Sequence, residues 1–399
     1  MAPRPSGRAR ARLITPLLVG ALAVPVLVAA PTSSEAASCA TSVNLTRLSH
    51  QVLKDKVVID TFRARVTTGR NTRSATVIRM TMPRGSRPQL LHKPLGLVDS
   101  ISNQVRAQAP RALTAINGDF FAYYDIGHHQ STILPWSSTV THGAVLRGFD
   151  VADQIVGVDS SGHPYGGRFA VVGTATDGPT SYPLRGINVE SIASDGVTVY
   201  TRAWYPSGST PRPSGSVEWV VRHHTITQVW TGGSNGAPVP AGSQVLAFGS
   251  SVAATAAKAK VGDPVTLTYR QSTATGVKLR EAVGTREAMV AQAKPSIDCR
   301  HYDTEARPRT SIGWTARGRW MTLSVPGTGY DRSGYRIGGL DVPEEAAVAA
   351  RLRFDQAFIL DGGGSVTAWA RHGSAWQRVD DSNSAWERYV PNGLAFLRP

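Results

Sequence analysis

Short runs of alternating apolar and polar residues, cut by glycine and proline, dominate this chain. With 39 Gly and 25 Pro in 399 residues, little room is left for long helices. Val57-Val58-Ile59 and Thr76-Val77-Ile78-Arg79-Met80 are dense in β-branched residues and read as strands. Val217, Trp219 and Val221 place three apolar groups on one face of another. Residues 206–216 and 231–242 are rich in Pro, Ser and Gly and read as turns. Only two helices stand out. One spans residues 97–109, with Val98, Ile101 and Val105 at helical spacing and Pro110 stopping it. The other opens on the capping box Asp341-Val342-Pro343-Glu344 and runs through alanines to Arg353. The expected class is α+β, predominantly β-sheet, mixed or antiparallel, with a few packed helices in a single domain over residues 37–399.

An apolar share of 41% suffices for a sizeable core, and 18% charged residues is too few for a disordered chain. Two cysteines exclude a disulfide-framework miniprotein and a Cys-rich zinc module. The formal charge is +15, carried mostly by arginine, with only seven lysines. No nucleic-acid motif accompanies that charge, so no nucleic-acid partner is expected; an anionic substrate suits it. Arg4, Arg8, Arg10 and Arg12 precede an apolar stretch over residues 13–30, broken by Pro16 and Pro25. That layout is a secretory signal peptide, expected over residues 1–36, and makes the mature chain secreted and extracellular without a transmembrane anchor. In an oxidising compartment Cys39 and Cys299 are expected to pair, closing a loop worth up to roughly 5 kcal/mol on the chain-entropy model.

Several familiar chemistries are absent. There is no H-E-x-x-H, no Walker A, and Gly363-Gly364-Ser365-Val366-Thr367 lacks the closing glycine of a nucleophile elbow. The pairs His128-His129 and His223-His224, if on strands, point to opposite faces and make no metal clip. Two segments carry chemistry. In Ala115-Ile116-Asn117-Gly118-Asp119-Phe120-Phe121 an apolar strand end delivers Asn and Asp around a glycine; taken alone it reads as a self-capping turn. In Phe358-Ile359-Leu360-Asp361-Gly362-Gly363-Gly364-Ser365 a strand runs into an acid, three glycines and a hydroxyl. Bare backbone N–H groups beside a carboxylate there would form an anion-binding nest.

In their order along the chain, these segments resemble the phosphodiester glycosidase family. Asn117-Gly118-Asp119-Phe120-Phe121 fits N-G-x-F-F, and Val261-Gly262-Asp263-Pro264-Val265 fits a G-D before a strand. Pro308-Arg309-Thr310-Ser311-Ile312-Gly313 fits P-R-T-x-x-G, and residues 339–350 fit the helix that follows. Leu360-Asp361-Gly362-Gly363-Gly364-Ser365 fits L-D-G-G-G-S. Glu387-Arg388-Tyr389-Val390-Pro391-Asn392-Gly393-Leu394 fits the closing E-R-x-V-x-N-x-L. Gly284-Thr285 stands where the family often has Gly-Gly.

The resemblance implies a secreted hydrolase that cleaves a sugar-1-phosphodiester in an anionic glycan or glycoconjugate. The alternative is a non-catalytic binder of anionic wall polysaccharide on the same scaffold. It implies Asp361 and Asp119 as the general base and acid, in an order left open, with Glu190 as an alternative second carboxylate. Arg309, Thr310 and Arg388 would hold the phosphate, with N–H groups of Gly362, Gly363 and Gly364 and the Ser365 hydroxyl. Asn117 and the Phe120-Phe121 pair would orient the sugar, and Asn188 is a further substrate-binding candidate. Attack at phosphorus would recruit a divalent metal, with Asp361 and Asp119 as oxygen ligands; no cofactor is clearly implied. The sugar, the acceptor and the oligomeric state are not legible in the sequence.

Overall fold

Strand Thr114–Asn117 is flanked by Ala368–His372 and Asn392–Leu397 in a five-stranded antiparallel sheet with Ala375–Arg378 and Arg87–His92 at its edges. This is a computed structural model, and it describes residues 42–126, 129–204, 209–211, 215–231, 236–297, 301, 303–330, 336–380 and 386–399. The expected signal peptide lies outside the described residues, as do both Cys39 and Cys299 of the expected bridge. Residues Ala36–Pro399 cluster as one unit.

An eight-stranded sheet runs in the order Ser42–Val52, Val58–Thr68, Asn71–Thr81, Trp320–Val325, Arg309–Trp314, Gln356–Leu360, Ala288–Ala291, Lys294–Pro295. An eleven-stranded sheet contains Asp153–Asp159, Pro164–Asp177 and Leu279–Gly284, together with Val217–Arg222 and Gln244–Phe248. Its strand pairs are antiparallel except Thr180–Ile187 with Val197–Tyr200. The fold is therefore α+β with sheets predominating. Among the described residues no helix is long and apolar enough to cross a membrane.

Alternation decides what each sheet face does. On strand Gln356–Leu360, Phe358 and Leu360 join a core with Ile116, Val156, Val283, Ile312 and Leu394, which come from all three large sheets. Ala357 and Ile359 point the other way, against Val342, Ala346 and Ala349 of helix Val342–Arg351. That helix has the expected capping box: the Asp341 carboxylate accepts the Glu344 N–H at 2.8 Å and the Glu344 side chain accepts the Asp341 N–H at 3.1 Å. Burying the helix hides Glu345 completely, and neither of its carboxylate oxygens has a hydrogen-bond partner among the described residues.

The first helix is shorter than its periodicity suggests, Ile101–Gln108. Asp99 exchanges backbone hydrogen bonds with Val390, which keeps it out of the helix, and Ser100 then caps the Asn103 N–H. His223 and His224 are not on a strand either. They form the turn between Val217–Arg222 and Thr225–Thr231, at φ +48° and +63°.

Candidate active site

Asn117, at the end of its strand and fully buried, ties three distant segments together. Its Nδ2 donates to the Asp361 carbonyl at 2.7 Å, while its Oδ1 accepts the Thr310 hydroxyl at 2.8 Å and the Thr367 N–H at 3.1 Å. The Asp361 N–H in turn donates to the Gly118 carbonyl at 3.0 Å. The two loops carrying Asp119 and Asp361 are thus bonded directly to each other, although 242 positions separate them in the chain. Such a buried amide, with three of its four hydrogen-bonding sites engaged, fixes loop positions more firmly than a surface contact could.

Asp119 is buried. Its backbone N–H donates to Asn392 Oδ1 at 2.9 Å, and its Oδ2 accepts the Ser137 N–H at 2.8 Å. Room for this carboxyl comes from Gly284, where a Cβ would lie 2.3 Å from Asp119 Oδ2. Burial, with the nearby charges of Asp153 and Asp361 adding to it, pushes the Asp119 carboxyl up to about 8; the Ser137 amide and Arg147 oppose. Burial also lifts Asp361, to about 6, held back by the Ser365 hydroxyl, Arg388 and the Gly362 amide. Near neutrality the first is a carboxylic acid and the second a carboxylate.

The glycine loop is less of a nest than its sequence suggests. The Gly362 N–H donates to the Asp361 carboxylate at 2.9 Å, and the Gly363 N–H to the Pro308 carbonyl at 2.9 Å. Of the three glycine N–H groups, only that of Gly364 has no partner among the described residues. Gly363 sits at φ +58°, opening a single 3₁₀ turn that buries Ser365. Arg388 reaches across this turn, with Nη1 at 3.3 Å from Ser365 Oγ and its Cζ 4.9 Å over the Phe121 ring. No carboxylate of the described residues lies within ion-pair distance of it. The adjacent Glu387 instead accepts the Ser102 N–H at 3.0 Å.

Arg309 does not take the expected phosphate-binding place. Its guanidinium grips Asp303 with two 2.9 Å bonds and also donates to the carbonyls of Glu305 and Leu340, all within the protein. Thr310 faces Asn117; strand alternation sends Arg309 to the opposite face, toward helix Val342–Arg351. Burial alone would raise the Asp303 carboxyl, but Arg309 and Arg286 hold it down at about 2. Thr310 is wholly buried and touches Asn117 rather than any open space. Asn188 is another correction. Fully buried at φ +52°, it spends its side chain on the Leu146 carbonyl and on the Thr201 N–H and hydroxyl, so it is scaffold. Glu190 is paired with Arg147 at 2.5 Å.

Two residues at this site carried no local signature. Asp153 accepts the Ser138 N–H through Oδ2 at 2.5 Å and is pushed up to about 6 by burial, opposed by that amide and by Arg147. Arg147 is fully buried over the Phe149 ring at 4.8 Å, donates to the Asn188 carbonyl, and lowers both Asp119 and Asp153. A lone Asp and a lone Arg in ordinary strand sequence announce nothing; the sheet pairing brings them beside Asp119. Among the described residues no group of three or more His, Cys, Asp or Glu side chains is placed to hold a metal ion.

Comparison with known proteins gives a consistent fold. An exported protein of Burkholderia pseudomallei K96243, so described, matches with TM-score 0.63 and 19% identity over 81% of this chain and 74% of that one. A hypothetical protein from Synechocystis matches with TM-score 0.65 and 18% identity, covering 85% of this chain but 62% of its own, so this chain spans less than two thirds of it. The catalytic domain of zebrafish N-acetylglucosamine-1-phosphodiester alpha-N-acetylglucosaminidase, auto-inhibited by its pro-peptide, is matched at 11% identity and TM-score 0.45, over 90% and 89% of the two chains. At such identities the first two likenesses speak for fold alone. No curated protein matches. Residues 215–397 match the phosphodiester glycosidase family, a stretch that includes Arg309, Asp361, the glycine turn and Arg388. Over those residues the chain is similar to the phosphodiester glycosidase family.

Proposed function

We propose that this protein is a secreted hydrolase that cleaves the bond between a sugar's anomeric carbon and a phosphodiester oxygen. The observation that carries this reading is the pair Asp119 and Asp361, on loops joined by the Asp361 N–H to Gly118 carbonyl bond and poised in opposite protonation states. The Asp361 carboxylate takes a proton from a water molecule as the water oxygen bonds to the anomeric carbon. The carbon–oxygen bond to phosphate breaks, its electron pair leaving with the phosphate oxygen. Asp119, held neutral, donates to that oxygen. Arg388 and the Gly364 N–H are the donors left for the phosphate, with the Ser365 hydroxyl beside them. Arg309 and Thr310 act as positioning residues beneath the turn.

The basic chain and the expected leader support an activity outside the cell, on anionic envelope or environmental glycans. Purified protein should release free sugar from a sugar-1-phosphodiester, and reaction in ¹⁸O-labelled water should put the label on the sugar. Label in the phosphate would move the attack to phosphorus. Release of no sugar from several such compounds, with and without divalent ions, would end the enzyme reading.

A further inference from the structure

Exposed aromatic rings are few in this molecule, and they are not scattered. Five Tyr or Trp side chains are strongly exposed among the described residues, and four of them adjoin the site: Tyr123 (60%), Trp136 (49%), Trp386 (56%) and Tyr389 (58%). Leaving large rings in water costs free energy, and a cluster of them beside catalytic carboxyls marks a surface built to be covered.

Their attachment shows how they are arranged. Phe120 packs against the core that includes Val342 and Ala346, and Phe121 against a separate one that includes Ile101 and Val390, so the two rings after Asp119 leave the chain in different directions. Phe120 carries Trp136 in a stacked contact at 5.6 Å, and Trp136 is followed by Ser137, the residue that binds the Asp119 carboxyl. Phe121 carries Tyr123 edge-on at 6.3 Å and Arg388 face-on at 4.9 Å. Beyond Arg388 lies a groove of about 510 Å³ lined by Ser100, Ser102, Trp386, Glu387, Arg388 and Tyr389. A methyl group on Gly364 would touch both the Trp386 indole, at 3.8 Å, and the Arg388 stem, at 3.7 Å. The groove therefore begins where the glycine turn ends.

We infer that the substrate is a glycan chain lying across the site, with sugar units on both sides of the phosphodiester that is cut. Trp136 is the platform on the Asp119 side, and Trp386 with Tyr389 is the platform beyond Arg388. The inference rests on the hydrolase reading above and names its substrate class. An aromatic plane takes the C–H face of a sugar ring, while the Glu387 carboxylate beside Trp386 in the groove accepts from its hydroxyls. A lipid would require a continuous apolar patch, and here hydroxyls and charges separate the rings. An enzyme trimming one terminal sugar needs no ring platform on the far side of its phosphate clamp.

The test compares two compounds with the full chain: a hexose-1-phosphate polymer of several repeats, and the same hexose-1-phosphate as its methyl diester. Fragments of intermediate length should appear from the polymer before free sugar accumulates. Trp386→Ala and Tyr389→Ala should each lose roughly three- to tenfold more kcat/KM on the polymer than on the methyl diester, with unchanged thermal midpoints. Sugars released one at a time from a chain end, or equal losses on both compounds, overturn the inference. Should the protein cut neither compound, the hydrolase reading fails while the platforms can still be judged by titrating the polymer into the protein. Binding weakened severalfold by Trp386→Ala supports them, and no binding, or binding unaffected by it, overturns them.

Discussion

On the proposed reading, Asp119 and Asp361 divide acid from base by surroundings rather than by residue type. Asp119 is enclosed beside two other acids, whereas Asp361 shares its edge with Arg388 and a hydroxyl. A bell-shaped dependence of kcat/KM on pH follows. Activity should rise as Asp361 ionises near 6 and fall as Asp119 loses its proton near 8, with the profile measured on a sugar-1-phosphodiester. Asp361→Asn and Asp119→Asn should each lower kcat by about 10²- to 10⁴-fold with little change in thermal midpoint. Asp119→Asn should also remove the alkaline limb of whatever activity survives.

Helix Val342–Arg351 and the strand under it show why two arginines of one motif set differ. Arg309 is buried on the helix side; Arg388 is half-exposed beside the glycine turn. Arg309→Ala would leave Asp303 without its bidentate partner and should cost about 3 to 5 kcal/mol in denaturant unfolding. Arg388→Ala should raise KM at least tenfold while the unfolding curve stays in place. Glu345 on the same helix gives a pH signature of its own. Burial pushes it up to about 7, with Arg309 opposing. The folded state therefore holds a proton that the unfolded chain releases above its ordinary value, so stability falls as pH rises through that window. Glu345→Gln should raise the thermal midpoint more at pH 8 than at pH 5. The capping box and the strand end before Asp361 were legible in sequence because each is a local pattern. Arg309 was misplaced because adjacency to Thr310 in sequence hides the period-two alternation that sends them to opposite faces. Arg147 and Asp153 were unreadable, since nothing local distinguishes an arginine beside the candidate site from any other strand arginine.

For the whole molecule, the predominance of sheets was readable from alternation and turn residues, while the strand order was not. It depends on pairings such as Thr114–Asn117 with Asn392–Leu397, hundreds of positions apart. The formal charge of +15 likewise acts as a field rather than through any one contact. On a polyanionic chain, kcat/KM should fall severalfold from about 0.01 M to about 0.15 M salt, as the screening length shrinks from about 30 Å to about 8 Å. The methyl diester, with one charge, should respond much less.

Strand Asn392–Leu397 slots between Thr114–Asn117 and Arg87–His92, and its first residue receives the Asp119 amide. Without that strand the sheet falls into a three-stranded piece and an unpaired Arg87–His92, and Asp119 loses the anchor of its amide. On the proposed reading, damage to the pairing of this strand would therefore reach the acid through its anchor and register as lost catalysis as well as lost stability.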